Sequence, residues 1–173
     1  MKLTTSMEKF VVHWGEMGTR WGINRTVAQI HALLYVVGKP LQAEEIADTL
    51  GVARSNVSNS LHELQAWGII KITHVLGDRR DHFETIQDVW TLFQTIMDER
   101  KKREIDSTLA VLRECVAEAR KEGDAGVHQR LSELSEFVET MANWYVQVRR
   151  LPATGWRQMA KMGSAISRLI GKK

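Results

Sequence analysis

Between Leu41 and Ile86 the chain passes through four patterns in an order that few folds accommodate. In LQAEEIADTLGV, residues Leu41, Ile46, Ala47 and Leu50 fall at helical spacing. Glu44 and Glu45 sit in the first turn, where the helix dipole favours acids, and Gly51 is a good helix stop. Winding residues 54–66 at about 100° per residue puts Val57, Leu61 and Leu64 on one face. Ser55, Asn59 and His62 then point the opposite way, flanked by Asn56, Ser58 and Glu63. IIKITHV (69–75) alternates and is β-branched, LGDRRD reads as a turn centred on Gly77-Asp78, and HFETI (82–86) reads as a second short strand.

Two short helices across a tight turn, followed by a β-hairpin with Arg79 and Arg80 at its tip, are the sequence form of a winged helix-turn-helix. The second helix spends its first turns on Arg54, Ser55, Asn56, Ser58 and Asn59, mediocre helix formers that are good hydrogen-bonding groups. Such a face can enter a major groove and bond base edges or phosphates, while hairpin arginines reach phosphates or a narrow minor groove. The plainer readings are a solvated helix face and ordinary turn arginines. The succession of helix and hairpin favours DNA. Arg54 lies near a helix start, where it opposes the dipole but suits a phosphate.

The flanking sequence is helical. With 173 residues, 43% of them hydrophobic, and only 2 Pro, a packed and mostly α fold is expected. Apolar periodicity predicts helices from Met7 to about Arg20 and from Thr26 to about Val37, separated by the turn GTRWGIN. From Asp88 a helical pattern carries Val89, Phe93, Ile96, Ile105, Leu109, Leu112, Val116 and Ala119 near one stripe, interrupted by the charge run DERKKRE. After Gly123-Asp124-Ala125-Gly126 a second long helix carries Leu131, Leu134, Val138, Met141 and Tyr145. Two long amphipathic helices with no third of similar length need another surface, and a second copy of the chain is the simplest one. The expected organisation is a winged helix-turn-helix over 1–87, linker and dimerisation helices over 88–151, and a basic amphipathic helix over 152–173.

The net charge of +3 is unevenly placed: residues 1–90 carry 9 Lys/Arg against 10 Asp/Glu, residues 91–154 carry 10 against 11, and residues 155–173 carry 5 against none. Bulk charge therefore says little about DNA, and the near-neutral first segment keeps a rival reading open: a winged helix serving as a protein-interaction module. The single Cys115 excludes an intrachain disulfide framework. The N-terminus lacks an apolar core of signal-peptide length, and no apolar run is long enough to span a membrane. The expected location is the cytoplasm.

GTRWGINRTVAQIHALLYV (18–36), EEIADTLGVARSNVSNSLHELQAWGII (44–70) and GDRRDHFE (77–84), running into ERKKRE (99–104), resemble the MarR-like winged-helix regulators, specifically the GbsR-type branch of bacterial repressors. The resemblance spans residues 7 to about 150. It implies a homodimer that reads double-stranded DNA and dimerises through its C-terminal helices. It also implies that a small effector, choline or glycine betaine in several members of the branch, controls binding.

Aromatic cages hold quaternary ammonium groups by cation–π attraction, and six Trp offer material for one. Trp14, Trp21, Tyr35, Trp90, Phe93, Trp144 and Tyr145 are the candidates, although each also fits a core position at helical spacing. Cys115, beside Leu112 and Val116, reads as a packed small residue, with a redox-sensing thiol as the alternative. The six histidines show no metal-ligand spacing, though His74 and His82 could face each other across the hairpin. GEMGTRWG is not a phosphate loop, and no nucleophile elbow occurs, so neither catalysis nor a cofactor or metal is expected. The tail places Trp156, Met159, Met162, Ile166, Leu169 and Ile170 near one stripe. Docking across the dimer is the favoured reading and a membrane surface the alternative.

Overall fold

The computed structural model describes residues 1–152, 154–159 and 162. The chain divides into two compact units, Met1–Thr95 and Ile96–Lys173.

In the first unit, α1 (Thr5–Arg20) begins at Thr4, whose hydroxyl accepts from the Met7 N–H. It lies against α2 (Arg25–Val37), capped by Asn24. Gly18 permits this close approach: a Cβ there would stand 2.5 Å from the Ala28 Cβ. α2 is the centre of the unit, with Val27, Ala28, Ile30, His31, Ala32, Leu33 and Leu34 all buried. Burial nearly all round the helix explains its almost continuous apolar sequence. β1 (Leu41–Gln42) leads into α3 (Ala43–Leu50), and Gly51, at φ 64°, turns the chain toward α4 (Arg54–Ala66). α4 buries Val57, Ser60, Leu61 and Leu64.

The hairpin strands are β2 (Ile70–Thr73) and β3 (His82–Thr85). β1 adds to β3 antiparallel, giving the order β1-β3-β2, with Leu41 opposite Phe83 and Gln42 opposite His82. This third strand is absent from the sequence expectation, because two residues after Pro40 are too few to show alternation. The register also corrects the histidine expectation. Thr73 is the residue opposite His82, and His74 stands instead beside Asp81, 4.0 Å from its carboxylate. α5 (Val89–Arg100) starts at Asp88, whose carboxylate accepts from the Thr91 N–H and hydroxyl.

The second unit pairs α6 (Asp106–Glu122) with α7 (Ala125–Arg149) across Gly123 and the N-cap Asp124. Ahead of α6, Lys101–Ile105 form a turn of π-helix. It coincides with the charge run, and the extra residue in that turn shifts the phase of the apolar stripe. Leu109, Leu112 and Ala119 are buried beyond it, whereas Ile105 is exposed. The expected α7 stripe also splits. Tyr145 is buried with Ser135, Ala142 and Val148, while Leu134, Phe137, Met141 and Trp144 form a separate exposed row. Residues 154–159 are helical, and Trp156 is buried edge-on to Tyr145 at 6.4 Å. Met162, placed on the same expected stripe, is exposed, and the remainder of the expected basic helix lies outside the described residues.

Candidate nucleic-acid interface

α4 presents its polar side as the sequence predicts. Arg54, Ser55, Asn56, Ser58, Asn59 and His62 are all exposed, while Val57, Leu61 and Leu64 anchor the helix on its other face. Its N-cap is Ala53, which has no side-chain acceptor, and no acid occupies its first turn. The leading N–H groups are thus left to solvent or to an incoming anion, the arrangement that suits a phosphate. Arg54 forms an ion pair with Glu44 from the start of α3. That pair answers the apparent conflict between a cation and the helix N-terminus, because a carboxylate accompanies the guanidinium.

The wing is braced along its length. Lys71 faces Glu84 at 3.0 Å, and the Thr73 hydroxyl donates to the same carboxylate at 2.9 Å. Together they hold the Glu84 carboxyl below its ordinary range, the Lys71 ammonium contributing most. At the tip Gly77 takes φ 84°, and Asp78 donates its N–H to the Val75 carbonyl. Arg79 is exposed and Leu76 is the most exposed apolar residue of the wing.

Arg80 is held differently from Arg79. Its Nε and Nη2 donate to Asp78 at 2.9 and 2.6 Å, and its backbone N–H donates to Asp78 Oδ1 at 3.0 Å. The Arg80 hydrogen bonds push the Asp78 carboxyl far below the usual carboxylate range and raise the guanidinium in turn. A side-on clamp of this kind occupies one edge of the guanidinium and leaves the Nη1 edge able to donate. Gln42 completes the cluster: its amide donates to Asp78 Oδ2 at 2.8 Å and contacts His82 Nε2 at 3.1 Å. No sequence signal marks Gln42, while Asp78 reads only as a turn residue and His82 only as a candidate partner of His74. The spacing of Asp78 and Arg80 carries a local signal, but Gln42 meets Asp78 only through the pairing of β1 with β3.

The aromatic candidates separate. Within the first unit an open hollow of about 240 Å³ is lined by Phe10, Trp14, His31, Ala32, Tyr35, Val89 and Leu92. Trp14 and Tyr35 therefore share one site, and Trp21 stands edge-on to Trp14 at 6.1 Å. Trp90 and Phe93 are not among the lining residues. Trp144 and Tyr145 belong to the second unit. Tyr145 is built into its core, its hydroxyl donating to Asp98 at 2.7 Å while Arg149 donates to the other oxygen of that carboxylate. Burial, reinforced by Asp98, raises the Tyr145 phenol.

His31 is the polar member of the hollow. Its ring lies 6.5 Å from both Trp14 and Tyr35, and its buried Nε2 has no hydrogen-bond partner among the described residues. Burial lowers its pKa from 6.5 to about 4. An unfolded chain takes up this proton as pH falls below 6.5 and the folded chain does not, so stability is full above that pH and declines from there toward 4. Between pH 7 and pH 5 the expected loss from this group is about 2 kcal/mol. Thermal melts at the two pH values should show His31→Leu losing less than the wild type, and equal losses would contradict the assignment.

Residues 21–81 match the model of the MarR family. The match begins in the turn before α2 and ends just past Arg80, so it covers the helix-turn-helix and most of the wing. The mostly helical fold with its small three-stranded wing matches a MarR-type winged helix. A Bacillus subtilis (strain 168) protein described as a putative HTH-type transcriptional regulator, YvaV, is 24% identical over 151 residues, covering 79% of this chain and 81% of its own. A solved structure described as the crystal structure of a transcriptional regulator superposes with a TM-score of 0.62 at 22% identity. It covers 83% of this chain and 95% of its own, so the likeness of fold extends past the MarR-type winged helix into the helices that follow.

Proposed function

We propose that the protein is a transcriptional regulator of the GbsR-type branch, a repressor that acts as a homodimer on a near-palindromic operator. The observation that carries this reading is the exposed face of α4, where Ser55, Asn56, Ser58, Asn59 and His62 stand clear of the core on a helix whose N-terminal N–H groups lack a side-chain cap. Ser and Asn on such a face suit base edges, whereas Arg54, Arg79 and Arg80 suit phosphates and the minor groove. Each protomer of a dimer places one such helix in a major groove, and the two-fold axis sets the half-site spacing. The description of YvaV as a putative HTH-type regulator supports the same reading.

This division of labour is testable in binding assays with operator and scrambled duplexes. Arg79→Ala should weaken binding to both by a similar factor. Asn59→Ala should mainly erode discrimination, by about 1–3 kcal/mol for a good base contact. Equal losses on both duplexes in both variants would contradict it.

The hollow of the first unit is the proposed effector site, with choline or glycine betaine as its ligands. Phe10, Trp14 and Tyr35 offer aromatic surface to a methylated cation, and the volume suits a compact molecule. Low-pKa His31 is uncharged at neutral pH and adds no repulsion. Ligand and DNA are then reciprocal: whatever factor the ligand takes from DNA affinity, DNA takes from ligand affinity. Calorimetry with both compounds at millimolar levels should detect binding that Trp14→Ala removes. Silence, together with unchanged DNA affinity, would remove the effector and leave the regulator.

A further inference from the structure

Gln42 joins two parts of the winged helix that are far apart in sequence. Its backbone N–H donates to Glu45 Oε2 at 3.1 Å, which ties it to the first turn of α3. Its side-chain amide reaches the wing, donating to Asp78 Oδ2 at 2.8 Å. The remaining contact is with His82 Nε2 at 3.1 Å, and the other ring nitrogen of His82 lies 3.0 Å from the Arg80 carbonyl. A carbonyl only accepts, so the tautomer that fits both contacts donates from Nδ1 and accepts the second Gln42 N–H at Nε2. Both amide hydrogens of Gln42 are thereby committed. Asp78 in turn takes three hydrogen bonds from Arg80, two of them from the guanidinium.

We infer that Gln42 is a positioning residue for DNA binding: its amide fixes the Asp78 carboxylate, and Asp78 aims the free Nη1 edge of Arg80 outward from the wing. This rests on the DNA reading above. The physical reason lies in Arg80 itself, whose long side chain is exposed and would otherwise sample many rotamers. A bidentate carboxylate restricts the guanidinium to one plane, but only if that carboxylate is itself held, and at a loop tip nothing in the local sequence holds it. Gln42 supplies the hold from β1. His82, buried and bonded at both ring nitrogens, keeps the Gln42 amide from rotating away. The wing therefore meets DNA with Arg80 already oriented relative to α3.

The test is a double-mutant cycle on the full chain. Gln42→Met keeps the length and removes the donors, and Gln42→Asn keeps the amide but shortens its reach. Each is compared in the wild-type and Arg80→Ala backgrounds, using a mixed-sequence duplex at low salt. The expected result is a weakening of about fivefold when Arg80 is present and less than about twofold when it is absent. Equal weakening in both backgrounds would overturn the inference, because a general loss of structure does not depend on Arg80. A second readout needs no DNA: the Arg80 Nε–H signal in NMR should be sharp and slow to exchange in the wild type and broadened in both Gln42 variants. If the wild type ignores the duplex, the DNA reading falls, and this signal alone decides the clamp. Loss of the signal in the variants supports the clamp, and an unchanged signal overturns it.

Discussion

Val57→Asp is expected to unfold the first unit, while Asn59→Asp leaves it folded and removes DNA binding. The same chemical group is placed two residues apart, on opposite faces of one helix. Val57 is 0% exposed, and a carboxylate there has no partner in an apolar core. The cost of burying it is on the order of 4 kcal/mol or more, enough to abolish most of the stability of a small unit. Asn59 is exposed, so Asp there meets only water in the free protein. On DNA it meets phosphates and base acceptors, and like-charge repulsion should weaken binding by more than about tenfold. Circular dichroism melts and a gel-shift titration of both variants make the comparison. A folded Val57→Asp variant, or an Asn59→Asp variant that binds DNA unchanged, would contradict the assignment of the two faces.

Phe137→Glu is expected to convert the proposed dimer into folded monomers. Leu134, Phe137, Met141 and Trp144 follow one another at three- and four-residue steps along α7, and all are exposed, Phe137 by 62% and Trp144 by 52%. An exposed apolar row of that length along one helix is the surface that a second copy of the chain would cover. A buried aromatic at the centre of such an interface is worth about 2–4 kcal/mol, so replacement by a charge should weaken dimerisation by about thirtyfold or more. DNA affinity should fall with it, since half-sites would be bound one at a time. Sedimentation velocity at micromolar concentration reads the change. A wild type that already sediments as a monomer, or a Phe137→Glu variant that remains dimeric, would sink the dimer proposal.

The parts of this protein that were legible in sequence are those set by local periodicity. Val57, Leu61 and Leu64 against Ser55, Asn59 and His62 define α4 and its two faces without reference to the rest of the chain. The β-branched run at 69–75 and Gly77-Asp78 define the wing in the same way. What stayed hidden depends on contacts between distant residues or on a break in phase. β1 is two residues long and has meaning only beside β3. The π-turn at Lys101–Ile105 lies in a charge run that shows no apolar phase, so a single stripe drawn through it joined residues that face different ways. Trp14 and Tyr35 looked no different from Trp144 and Tyr145 as sequence. Only the packing of α1 and α2 brings the first two to one hollow, while Tyr145 is spent on Asp98 and Trp156. Arg79 and Arg80 are neighbours in a turn, yet it is Arg80 that Asp78 clamps, and Asp78 is in turn reached by Gln42 from another strand.

The near-neutral charge of residues 1–90 has a structural counterpart, since Glu44 accompanies Arg54 and Asp78 accompanies Arg80. The Arg54–Glu44 pair is exposed, where a carboxylate is held weakly enough for phosphate to replace or join it, and Arg80 keeps its outer Nη1 edge for a phosphate while Asp78 holds the other. A winged helix that bound only another protein would not retain a duplex at any salt concentration. The decisive measurement is therefore the affinity of the intact protein for a duplex from its own upstream region across a salt series. Between about 50 and about 200 mM salt the affinity should fall at least about tenfold, with log affinity linear in log salt. Failure to retain any upstream fragment at the lowest salt, or binding indifferent to salt, would contradict the regulator reading and favour a protein-interaction module.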